Sequence, residues 1–224
     1  MKANTKKTML LCISDAISFE AGAEILAESG DKLTSVDELC LLGFRFGRRP
    51  NCDVHVQSIR RSLRGRYWLL IHLKQHHLTE RDLVTAYKAI KRPLAEYCSV
   101  VFHLMLTDQQ DEQLERLQST ALRYIYGFGL SYAAMREMAD ISTLRSRHIE
   151  ACDKFAASCL RSPRFSGWFP EARQVRDSRH ALVYKEEFAR CDRLRNSPLH
   201  YMRRRLNGKA GKEYGKRNAK YRDA

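Results

Sequence analysis

The chain has 224 residues, which suits one large domain or two small ones, and its 44% hydrophobic fraction supports a buried core. Forty Lys+Arg against 26 Asp+Glu leave a net charge of +14, which points to an acidic partner, nucleic acid before an anionic membrane surface. No stretch approaches the roughly 20 apolar residues that span a bilayer, and the run Met9 to Ile13 is too short for a secretory signal.

These totals predict an intracellular protein, nuclear or cytoplasmic, with no membrane segment. The seven cysteines, Cys12, Cys40, Cys52, Cys98, Cys152, Cys159 and Cys191, form no C-x-x-C pair. Reduced thiols are therefore expected. Zinc needs ligands clustered at short spacing. Cys152 and Cys159 stand apart with no second pair, and the adjacent His76 and His77 would diverge on a helix. The expectation is no metal site and no cofactor.

The chain begins MKANTKKTMLLCIS, a basic patch running straight into a core strand. That reads as the middle of a domain. Residues 1–50 read as a β region. Thr8–Ser14 is a strand. Ala23–Ala27 and Lys32–Ser35 flank the turn composition Glu28-Ser29-Gly30-Asp31, which predicts a hairpin. Leu39–Phe46 is read as a strand in which Gly43 marks a bulge or a close backbone approach.

Residues 51–170 read as helical. From Asp53 onward, Ile59, Leu63, Leu70 and Leu73 recur at core spacing. Gln57, Arg61, Arg64 and Trp68 share another face. That basic, aromatic face suits a phosphate backbone with a base or sugar beside it. The alternative is a solvated face with Trp68 tucked into a neighbouring helix. Thr79 with Asp82, and Thr107 with Gln110, predict capping boxes. Pro93 breaks or kinks the first of these helices, and Leu94–Leu104 continues as an apolar helix. Leu114, Leu117, Ala121 and Ile125 form the next stripe, which Gly127 and Gly129 stop. Ser131 starts a short helix. Ser142 caps another, with Leu144, Ala151 and Phe155 inward and His148 as a core-edge histidine.

Residues 162–170 are an aromatic-rich loop. Residues 171–224 carry sixteen Lys+Arg against seven Asp+Glu. They read as a basic, partly disordered tail with a helical piece near Ala181–Leu194. The predicted class is thus α+β: a small N-terminal antiparallel β-hairpin or sheet, a helical bundle, and a flexible basic tail. No G-x-S-x-G, H-E-x-x-H or Walker loop is present, nor carboxylates arranged for metal-dependent nucleotidyl transfer. No activity of its own is expected.

Asn4 to Thr8, Leu41 to Phe44, Arg92 to Tyr97, Glu115 to Gly127 and Leu144 to Arg147, in this order, resemble five segments in the C-terminal part of a non-LTR retrotransposon (LINE-type) reverse transcriptase. Asn4 to Thr8 is similar to the N-x-x-K-T segment near the end of the palm. Leu41-Leu42-Gly43-Phe44 resembles the primer-grip hairpin. Arg92-Pro93-Leu94-Ala95-Glu96-Tyr97 resembles the R-P-x-x-E-Y thumb segment. Glu115 to Gln118, leading through Arg123 to Gly127, is similar to the E-x-x-Q…R-x-I-x-G stretch, and Leu144 to Arg147 fits the L-x-x-R region. The Y-x-D-D hairpin of that family, with the Mg site it would carry, is absent here.

The resemblance implies the end of a palm, a thumb-like bundle, and a grip on template–primer nucleic acid, whether RNA, RNA–DNA hybrid or DNA, without catalytic carboxylates. The missing palm and fingers of the parent polymerase would be a second partner. Residues expected to touch nucleic acid are Lys6, Lys7, Gly43, Phe44, Arg45, Arg60, Arg61, Arg64, Trp68, Arg203, Arg204, Arg205 and Lys209. The competing expectation is a helical interaction protein, or a decayed element product, with no selected activity. A third is an active polymerase completed by carboxylates from another chain.

Overall fold

In the computed structural model the described residues are 8–12, 30, 32–49, 51–171, 184–190 and 192–208. They form an α+β protein that is mainly helical. Two compact units are present: residues 1–95 with 106–135, and residues 96–105 with 136–224.

In the first unit, β1 (Met9–Leu10) pairs with β2 (Thr34–Ser35) in parallel, with Met9 opposite Thr34. The predicted turn residues 28, 29 and 31 and the strand 23–27 lie outside the described residues. The stretch that the residue pattern reads as one bulged strand is a hairpin, as the resemblance at Leu41–Phe44 implies. β3 (Glu38–Leu41) and β4 (Phe44–Gly47) pair antiparallel, with Leu41 opposite Phe44. Leu42 and Gly43 between them have φ of 48° and 82°. Two positive φ values in a two-residue loop match the twist of paired strands, and glycine reaches such angles without strain.

β4 rests on α1 (Asp53–Arg64). A Cβ on Gly47 would stand 2.7 Å from Val54 Cγ2, so the glycine permits this close approach. The single helix expected after Asp53 is broken. Gly65 and Arg66 form a turn in which the Arg66 N–H donates to the Leu63 carbonyl, and α2 (Tyr67–Gln75) starts afresh. Glycine is a weak helix former, and the break falls at it.

Thr79 caps α3 (Glu80–Ala86), and the box with Asp82 is formed in both directions. Pro93 does not end the run. A π-helical turn at Tyr87–Lys91 precedes α4 (Arg92–Glu96), and the Arg92 N–H reaches back to the Tyr87 carbonyl. Proline cannot donate and crowds the carbonyl four residues before it, and a widened turn accommodates both effects. The apolar helix expected over 94–104 is interrupted where Cys98 adopts φ 59°. It resumes as α5 (Ser99–Phe102) and a 3-10 turn at His103–Met105.

α6 (Asp108–Tyr126) carries the second capping box, Thr107 with Gln110. Its stripe Leu114, Leu117, Ala121 and Ile125 is buried. Gly127, at φ 94°, closes it. The helices α1, α2 and α3 all pack on α6, which is the axis of this unit. α7 (Tyr132–Ala139) follows, with the Ser131 hydroxyl accepting from the Ala134 N–H.

The second unit is built on α8 (Leu144–Arg161). Its cap is Thr143, not Ser142, and its buried side chains are Leu144, His148, Cys152, Ala156 and Cys159. Ala151 and Phe155 sit off that stripe, and Phe155 is exposed. His148 is fully buried, edge-on to the rings of Phe102 and His103. Arg147 grips Glu96 through two hydrogen bonds of 3.0 and 3.2 Å.

Residues 163–168 make a 3-10 turn. Residues 184–190 are not helical, and α9 spans Asp192–Arg195. Part of the expected tail is ordered. α10 (Pro198–Leu206) starts with proline at its first turn, where the missing N–H costs nothing. Tyr201 and Met202 enter the core beside Cys152, Ala156 and Phe169. Among the described residues no helix is long and apolar enough to cross a membrane.

Candidate nucleic-acid interface

Along the first unit, α1 and α6 leave a groove of about 470 Å³. α1 contributes Arg60 and Arg64, and Tyr67 follows from the start of α2. Arg116, Gln113, Thr120 and Tyr124 come from α6. No carboxylate lines it among the described residues.

Buried contacts fix its walls. The Tyr67 hydroxyl donates to the Leu117 carbonyl at 2.9 Å, and its ring lies 5.4 Å from that of Tyr124. Burial pushes the Tyr67 phenol up to about 12, with Tyr124 adding to the shift, so it stays neutral. Arg60 Nη1 donates to Gln113 Oε1 at 2.9 Å, which orients one guanidinium along the groove. Lys74 Nζ donates to the carbonyls of Tyr124 and Ile125 at 3.1 and 2.8 Å, satisfying orphaned groups at the end of α6. Arg116 pairs with Glu112 on the exposed helix surface at 2.8 Å. Such a pair is weak and exchangeable. Arg61 and Arg64 are exposed, and their side chains make no hydrogen bond or ion pair among the described residues.

The other expected contact residues fall in varied places. Gly43 is at the exposed hairpin tip. Phe44 is buried, edge-on to Phe46 and tilted against His55, so it serves packing. Arg45 is exposed and reaches Glu38 at 3.9 Å. Its charge adds to burial in holding His55 below the ordinary histidine range. Trp68 is 62% exposed and is not tucked into another helix. Lys6, Lys7 and Lys209 lie outside the described residues.

The three tail arginines are held by the fold. Arg203 is buried, donates to the Trp168 carbonyl at 2.9 Å and pairs with Glu187 at 3.1 Å. Arg205 chelates Asp153 at 3.1 and 2.9 Å, and Arg204 donates to the Arg195 carbonyl. A recess of about 250 Å³ in this second unit sets Glu186 and Glu187 among its arginines, so its charge is mixed.

The groove was only half visible from sequence. Of the expected basic face only Arg64 lines the groove, beside Arg60 from the expected contact set, and Arg116, Gln113 and Tyr124 join them from about 50 residues away. Their only signal was polar and aromatic residues opposite the Leu114–Ile125 stripe.

The first unit thus carries a polar groove with three guanidinium groups and two tyrosine rings. Comparison with protein-family models, curated proteins and solved structures finds no match for the chain.

Proposed function

We propose that the chain binds nucleic acid through the α1–α6 groove, as a thumb-like part of a reverse transcriptase would grip a template–primer, and that it does so without chemistry of its own. The observation that carries the reading is the set Arg60, Arg64 and Arg116 in one groove with no carboxylate lining it among the described residues. Arginine donates in a planar fork that matches phosphate oxygens. Tyr124 offers a face for a base or sugar. Trp68 adds an exposed aromatic on the same unit. Cys12, Cys40, Cys52, Cys98, Cys152 and Cys159 are free thiols, buried ones included, which suits an intracellular setting.

The test is fluorescence anisotropy with a labelled RNA–DNA hybrid. Arg64→Ala and Arg116→Ala are each expected to weaken binding several-fold while the melting temperature holds. Unchanged affinity in both variants would reject the groove.

A further inference from the structure

The last turn of α2 carries a feature that nucleic-acid binding does not use. His72 and His76 stand four residues apart, both exposed, with their Nε2 atoms 3.2 Å from each other. Their rings are edge to face, 4.5 Å between centroids. Two imidazole nitrogens that share one ion at about 2.05 Å must lie about 3.3 Å apart at a tetrahedral angle, or about 2.9 Å at a right angle. The observed spacing falls between these values. We propose that His72 and His76 form a two-nitrogen site for a divalent transition-metal cation of the kind that favours imidazole, such as Cu(II), Ni(II) or Zn(II).

Three details prepare the pair. The His76 N–H donates to the His72 carbonyl at 3.1 Å, so helical geometry fixes the spacing of the two residues. One ring nitrogen can donate to the other, which holds both Nε2 atoms together before an ion arrives. The site is at the C-terminal end of α2, where the helix dipole favours a cation. The nearest lysine on the helix, Lys74, has its ammonium committed to the α6 carbonyls. Two protein ligands leave the remaining positions of the ion to water or to an incoming donor atom.

The structure also supplies a reporter, since the Trp68 ring lies 6.2 Å from that of His72. The full chain is titrated with nickel chloride, a paramagnetic quencher, while tryptophan emission is followed. The expected result is quenching that saturates at one ion per chain and reverses with EDTA. It should persist in Trp168→Phe, vanish in Trp68→Phe, and need at least tenfold more nickel in His72→Ala and in His76→Ala. All four positions are solvent-facing or partly so, and circular dichroism checks that each variant folds. Wild-type affinity in either histidine variant, or full quenching in Trp68→Phe, would overturn the proposal.

Discussion

The ammonium of Lys91 sits 3.9 Å from the centre of the Tyr67 ring, and the lysine is only 1% exposed. Its Nζ has no hydrogen-bond partner among the described residues. Burial, with the Arg66 charge adding, brings the amine down to about 7. The ring face offsets part of the cost of the charged form.

This arrangement has a pH signature. Below pH 7 both folded and unfolded chains hold the proton, and the folded state carries the full cost of a buried charge. Between about 7 and 10.5 the unfolded lysine keeps its proton while the folded one has lost it. The unfolded state then binds more protons, so stability rises with pH, by up to about 1.4 kcal/mol per unit. Lys91→Met is expected to be more stable than the parent at pH 6 to 7, with the gap closing toward pH 10. Urea unfolding at several pH values checks this, and a gap independent of pH would contradict it.

Arg203 and Arg61 should separate structure from binding. Arg203→Ala removes the Trp168 carbonyl bond and the Glu187 partner, a loss on the order of 2 kcal/mol. Arg61→Ala touches no partner and should leave the melting temperature unchanged. Differential scanning fluorimetry of both variants distinguishes them.

Gly47 is expected to resist substitution. Gly47→Ala drives its new methyl group into Val54 Cγ2, at a cost of about 1–3 kcal/mol. The double variant with Val54→Ala should recover part of that loss, and a thermodynamic cycle measures the coupling.

The thiols should react unequally. Cys40 is exposed, whereas Cys152 is buried and pushed up to about 12 by burial, with Asp153 adding to the shift. Burial also raises Cys159. Since only the thiolate reacts, iodoacetamide at pH 8 should label Cys40 in the native chain and reach Cys152 and Cys159 only after unfolding. Mass spectrometry reads the order.

Local patterns were the legible part of this fold. Both capping boxes form as Thr79–Asp82 and Thr107–Gln110 predict, because a cap depends on residues three apart. The α6 stripe follows for the same reason. Three features escaped because their causes are not local in sequence. Whether Leu42-Gly43 bulges or turns depends on Glu38 finding Gly47 across the hairpin. Pro93 looks like a break until the preceding turn widens. The arginines at 203–205 read as part of a flexible basic tail touching nucleic acid because Tyr201 and Met202 gain their partners, Cys152 and Phe169, only on folding. The His72–His76 contact rests on a four-residue spacing that the sequence shows, but it forms only because α2 carries His72 one turn before its C-terminal cap, His76.

The central claim is that nucleic acid binds the α1–α6 groove through its phosphates. The most direct measurement is the affinity for a short RNA–DNA hybrid as salt is raised, in the parent chain and in Arg64→Ala and Arg116→Ala. Each phosphate contact contributes a slope of about 0.7–0.9 in the logarithm of affinity against the logarithm of salt. The account predicts a linear fall in the parent and a slope shallower by about that amount in each variant. Undetectable binding at low salt, or affinity indifferent to salt, would contradict it.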